Sequence, residues 1–320
     1  MKKKVSVLLL SFLVIYLVTF LLPRWMPGDP FAYNSADVSE NVDAEMSEEQ
    51  KEYMRSYYGM DKPLFQQLWI TMGKHLRWDW GQSIHFKAPV GELIGDRLPW
   101  TLWIMGGSLI LSLLLGVFLA LLSVRNPKAD RILYGASSFL TEIPAYLIGI
   151  VLLFLIGAKV NWIPLSGGKT AFATYDSMWE KLWDLLLHSL LPLTAMCIFT
   201  VPKFYFTARS SFLTIKEKGY MTFAKAKGLS EGRIRRRYLL RNGLTPIVVR
   251  LFLSVGTTVG ATILVENVFA YPGVGLLMRE AVKYRDYILM QDIFLLSAVL
   301  VLGSLFLGDL LNSLVDKEVH

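Results

Sequence analysis

One cysteine in 320 residues, Cys197 inside an apolar run, excludes an intrachain disulfide framework and a cysteine-built metal cluster. Histidine is nearly as scarce. His75, His85, His188 and His320 show no H-x-x-x-H spacing, so no metal centre is legible in this chain. There is no internal repeat of fixed period and no low-complexity tract. A secondary carrier with matching halves and broken helices therefore lacks its usual sequence sign. A phosphate loop is missing too: SGGKT at 166–170 has the right ending, but the pattern needs glycine at 163, which is Ile163. Residues 23–100 hold only scattered Asp, Glu and His. An integral membrane enzyme with an extracytoplasmic site thus stands as an alternative of a different class without a visible catalytic centre.

Charge is also absent where it matters most. The composition is 53% hydrophobic, and Val5 to Leu22 contains no charged residue. No small-x-small cleavage site follows it, only Pro23, Arg24 and Trp25, so this run reads as a retained first helix, 1–22, rather than a signal peptide. Further apolar stretches run over 101–124, 132–157, 185–208, 246–271 and 288–314. Each is long enough to cross about 30 Å of hydrocarbon at about 1.5 Å per residue. The expectation is an all-α integral membrane protein with six spans and both termini on one side.

The net charge of +7 is distributed unevenly. Lys2, Lys3 and Lys4, the link RNPKADR at 125–131, and ten Lys or Arg between Arg209 and Arg241 all fall on one face of the six-span arrangement. By the positive-inside rule that face is cytoplasmic. Residues 23–100 balance eight basic against twelve acidic side chains and carry Trp25, Trp69, Trp78, Trp80 and Trp100. They read as a folded extracytoplasmic insert with interfacial anchors, with a helix over 43–58 stopped by Gly59. Residues 101–320 form the core domain, with a cytoplasmic loop over 209–245.

Within that loop, FAKAKGLSEGRIRRR at 223–237 reads as a helix, a glycine corner and a second helix. Gly228 supplies the left-handed residue that ends the first. Ser230 caps the second, with Glu231 in its first turn. Asn242 and Gly243 are expected to end that second helix, and Pro246 to open the fifth span. Ala224 and Ala226 make the first helix thin on part of its surface. The bland alternative is that these cations only hold topology or touch anionic lipid. Nucleic acid is excluded by the absence of a recognisable binding module and by the position between two spans.

YMTFAKAKGL at 220–229 and RNGLTPI at 241–247 resemble the loop signature of the permease subunits of ABC importers, most closely the DppB/OppB branch that serves peptide and nickel uptake. MPGDP at 26–30, DRLPWTL at 96–102, WIPLSGG at 162–168 and ENVFAYPGVG at 266–275 follow in family order, as does the closing span with Asp309 and Asp316. The resemblance implies a type I importer fold. It also implies that Tyr220, Phe223, Ala224, Lys225, Ala226, Lys227, Gly228 and Leu229 couple to a cytosolic ATPase. No cofactor belongs to this chain; ATP and Mg would be bound by two partner ATPase subunits. The other partners implied are a second homologous permease, an extracytoplasmic substrate-binding protein and membrane lipid. The setting implied is the bacterial inner membrane, and the cargo a di- or oligopeptide, with nickel or a metal chelate as the alternative. Lys225 stands where the family usually has arginine, and Tyr271 where it has tryptophan.

Ionisable residues inside spans are costly, at about 3 kcal/mol even on lenient scales. Glu142, Glu266, Asp292 and Asp309 are the candidates, with Glu266 and Asp292 expected near the hydrated outer boundary and Asp309 near the inner one. Glu142 beside Pro144 either faces a wet pathway or makes a helix-to-helix hydrogen bond. Thr257 and Thr258, in a small and polar stretch of the fifth span, are pathway candidates if they do more than permit close packing.

Overall fold

A computed structural model describes residues 2–27, 31, 47–157 and 159–318. The described residues are helical throughout apart from turns and one isolated bridge between Gln82 and Pro89. The order is α1 (Lys2–Trp25), α2 (Glu48–Tyr57), α3 (Leu64–His75), α4 (Val90–Arg125), α5 (Pro127–Thr141), α6 (Ala145–Gly157), α7 (Met178–Lys216), α8 (Gly219–Ala226), α9 (Glu231–Arg233), a π-helical turn (Ile234–Leu240), α10 (Arg241–Val268), α11 (Val274–Lys283) and α12 (Tyr287–Glu318).

Five helical stretches are long and apolar enough to span a bilayer, and α5 with α6 makes a sixth only as a pair bent by 103°. The unbroken third span expected over 132–157 is thereby corrected. Pro144 has no N–H to donate and pushes Ile143 out of the helical region, so the chain turns at 142–144. Asn126 starts α5 cleanly: its side-chain oxygen accepts from the amides of Lys128 and Ala129, with Pro127 in the first helical turn. Ser47 and Gln50 form a reciprocal capping box on α2, and Gly59 follows with φ +68°. The expected stop at Gly59 and the helix before it are therefore present from Glu48 onward, while positions 43–46 lie outside the described residues, as do 28–30 of MPGDP.

The chain divides into two compact units, Met1–Pro99 with Gly273–Val299, and Trp100–Pro272 with Leu300–His320. In the first, Val90, Leu277, Ala281, Leu289 and Ile293 are buried together. Asp286, fully buried, heads α12. It accepts from the Ser83 hydroxyl and from the backbone amides of His85 and Leu289, each 3.1 Å away. Burial raises its carboxyl above the ordinary carboxylate range, against the pull of those hydrogen bonds. The His85 ring stacks 3.6 Å from that of Tyr284, and loss of water lowers its pKa. Asp292 is only 1% exposed. His75 Nε2 sits 2.9 Å from its carboxylate, and Tyr16 Oη 2.9 Å from His75 Nδ1, so α1, α3 and α12 share one polar chain.

In the second unit α7 packs against α5, α6 and α10. Its 39 residues reach about 58 Å, well beyond a bilayer's hydrocarbon. Gly116 of α4 lies so close to α7 that a Cβ there would fall 2.9 Å from the Tyr205 backbone nitrogen, which lets the two helices meet at backbone distance. SGGKT performs a local structural task. The Gly167 amide donates to the Phe269 carbonyl, and the amide and hydroxyl of Thr170 both donate to Asp184. Tyr271 is fully buried, edge-on to Trp100 and 3.1 Å from Ser189 Oγ, and burial pushes its hydroxyl up to about 12.

Candidate coupling helix and pathway residues

α8 begins after Lys218 and ends in a complete glycine-terminated cap. Gly228 has φ +69°; its N–H donates to the Lys225 carbonyl at 2.9 Å, and the Leu229 N–H to the Ala224 carbonyl at 3.3 Å. These are the paired bonds of a Schellman motif, which only a left-handed residue allows at low cost. The glycine corner read from the sequence is therefore present.

The faces of α8 are sharply divided. Met221 (3% exposed) and Ala224 (1%) sit one turn apart and pack into the cluster containing Phe212, Ile215, Ile234 and Leu239. Leu229 is packed against the same cluster. Facing away are Tyr220, Phe223, Lys225, Ala226 and Lys227, with Phe223 at 62% exposure. Lys227 Nζ lies 4.5 Å over the Phe223 ring, and Tyr220 stacks on Tyr238 while its hydroxyl accepts from Asn242. The surface this helix offers is an aromatic ridge bordered by cations. Ala224 is not on it: that alanine is small because its own chain closes over it. Ala226 is the small residue on the open side.

After the corner, two expectations are corrected. Ser230 occupies the cap position of α9 but its side chain makes no capping bond. Asn242 and Gly243 do not end a helix, and Pro246 does not begin one. The chain runs helical from Glu231 to Val268 through the π turn, with Pro246 inside α10. A Cβ at Gly243 would lie 2.5 Å from Cε1 of Phe212, so the glycine admits a neighbouring ring instead of terminating the helix. The extra residue of the π turn shifts the register so that Ile234 and Leu239 both reach the core under α8.

The pathway candidates separate. Glu142 is the exposed end residue of α5 at the 103° bend. Thr257 is exposed and accepts from Lys203 Nζ at 3.2 Å. Thr258 is fully buried and donates to the Ser254 carbonyl at 2.6 Å, as expected of a packing residue. Glu266 is fully buried. Two cations also lie within the apolar runs, Lys203 of α7 and Arg250 of α10. At the start of α5, the carboxylate of Asp130 is gripped by both arms of Arg209, with Oδ2 2.6 Å from the terminal nitrogen. That fork binds the start of α5 to α7.

The chain is similar to the oligopeptide transport system permease protein AppB of Bacillus subtilis, with 29% identity over 310 residues, 96% of this chain and 94% of that one. The dipeptide transport system permease protein DppB of Lactococcus lactis is 26% identical over 323 residues, 99% and 98% of the two chains. The glutathione transport system permease protein GsiC of Pectobacterium atrosepticum is 30% identical over 322 residues, 99% and 97%. The family model for the binding-protein-dependent transport system inner membrane component matches residues 112–320, taking in the bent pair, α7, the whole of α8 and its glycine corner, and α10. With five or six helical stretches apolar enough to span and a family match over residues 112–320, more than half of its length, the chain belongs to the binding-protein-dependent transport system inner membrane components.

Proposed function

We propose that this chain is the permease subunit of an ATP-driven importer of short peptides and forms half of the translocation pathway beside a second, homologous permease. The observation that carries the reading is the near full-length likeness to permeases named for oligopeptides, dipeptides and glutathione, all of them peptides. In this reading the loop 209–245 and both termini are cytoplasmic, in keeping with the cations counted there. Two ATPase subunits bind ATP and Mg and do the hydrolysis, and an extracytoplasmic binding protein delivers cargo. The ridge of Tyr220, Phe223, Ala226 and Lys227 sits in a groove of one ATPase. Met221, Ala224 and Leu229 bind α8 to its own chain, so that movement of the groove becomes movement of α7 and α10 as rigid bodies.

Replacing Ala226 with Trp tests this. The residue is exposed and the substitution leaves the core intact, so the protein should insert normally while peptide uptake falls at least about tenfold, the equivalent of about 1.4 kcal/mol of lost docking. Ala224→Trp should differ by disturbing the fold of the loop itself, read as a lower yield of inserted protein. Uptake of trialanine in vesicles carrying the assembled transporter, together with co-isolation of the ATPases, measures both. Normal uptake by Ala226→Trp would remove the coupling assignment.

A further inference from the structure

A cleft of about 670 Å³ opens in the second unit between the end of α5 and the helices α7 and α10. Its lining includes Thr141, Thr207, Ser210 and Thr214, and it carries two cations, Lys203 and Arg250. The volume lies within the range of about 300–1,000 Å³ usual for small-ligand sites.

The cations are unusual in what they lack. Among the described residues neither Lys203 nor Arg250 takes part in an ion pair of the kind that joins His75 to Asp292 or Arg209 to Asp130. Lys203 Nζ has a hydroxyl partner in Thr257 and rests 3.7 Å over the Phe199 ring. The Arg250 Nε is buried without a hydrogen-bond partner. Arg250 stands close enough for its charge to act on Lys203. Two like charges within apolar spans, facing one cleft with no carboxylate among its described lining residues, suit a visiting anion. An ammonium beside a guanidinium fork, with hydroxyls around them, suits a carboxylate.

We propose that Lys203 and Arg250 receive the C-terminal carboxylate of the peptide as it passes through the cleft. This rests on the reading of the chain as a peptide permease and deepens it. The carboxylate is the one anionic group that every linear peptide carries whatever its side chains, so a site that grips it serves a varied cargo without reading sequence. Asn242 lines the same cleft and donates to Tyr220 of α8, so the occupied cleft adjoins the coupling helix.

The test uses the assembled transporter in phosphatidylcholine vesicles, with its binding protein loaded to saturation with trialanine or trialanine amide. The unaltered transporter should move the free acid about tenfold faster than the amide, the scale of one charge-assisted hydrogen bond. In Lys203→Gln/Arg250→Gln that ratio should fall toward one, in Lys203→Gln alone it should be intermediate, and Lys203→Arg should keep it. Co-isolation with the ATPases shows that the variants assemble. A ratio unchanged in the double variant overturns the proposal. So does an equal loss for both peptides in the variants together with dependence of the unaltered transporter on added phosphatidylglycerol, which assigns the cations to a lipid headgroup. Failure of the unaltered transporter to move either peptide instead removes the peptide reading, and this proposal with it.

Discussion

His85 shows how one side chain makes the structure sensitive to pH. Its ring is stacked on Tyr284, its Nδ1 has no hydrogen-bond partner, and desolvation lowers its pKa below the usual 6.5 despite the nearby carboxylates of Asp286 and Glu280. Lys283 pushes in the same direction as burial. The folded chain then binds this proton less readily than the unfolded one. The stability that His85 contributes is present above about pH 6.5 and is lost as pH falls toward the lower folded value. Asp286, with its pKa raised, has the opposite sign: its contribution declines as pH rises through its own range. Amide exchange over residues 83–89 should quicken between about pH 7.5 and about pH 5.5 once corrected for intrinsic rates, and the difference between the native protein and His85→Gln isolates the histidine's share. Equal pH dependence in the two would dismiss it. Residues of this kind are only half legible in the sequence. The four histidines are visible, but that His75 meets Asp292 and His85 meets Tyr284 depends on pairings across about 200 positions, which no local pattern encodes.

At the scale of elements, glycine and proline carried different information in different places. Gly228 was legible because its demand is local: a left-handed residue closes two backbone bonds within the same turn. The role of Gly243 is not legible in the sequence because its demand is tertiary. Nothing in RNGLTPI announces that a phenylalanine ring on α7 occupies the space a side chain would need. Gly243→Ala should therefore lower stability by about 1–3 kcal/mol through overpacking against Phe212. The loss should be smaller in a Phe212→Leu background. Thermal unfolding in detergent measures the cycle, and equal losses in both backgrounds would place the cost elsewhere. Pro144 breaks the helix inside an apolar run that hydropathy reads as continuous, since hydropathy counts residues and not backbone donors. The consequence is the 103° bend that ends α5 at Glu142. Pro246 lies inside α10, just beyond the π turn, and the helix runs on through it to Val268.

The whole molecule is covered in large apolar side chains. Leu9 is 63% exposed, Ile110 61% and Phe154 77%, which a bilayer accommodates and water would not. Ile110→Asp would put a carboxylate on that surface at a cost of about 3 kcal/mol. The fraction of protein resisting alkaline extraction from membranes should fall accordingly, and an undiminished fraction would mean that position 110 does not face hydrocarbon. The sequence by itself determined that this is a helical membrane protein, which stretches are apolar enough to span, which loop gathers the positive charge, and that a helix there ends at Gly228. Each of these follows from composition over a short window or from bonds between near neighbours. Only the tertiary structure decided which alanine of that helix is open, that a span is broken, and that Lys203 and Arg250 share one cleft. Those facts depend on which distant side chain fills the space beside each residue, and packing of that kind leaves no periodic trace along the chain.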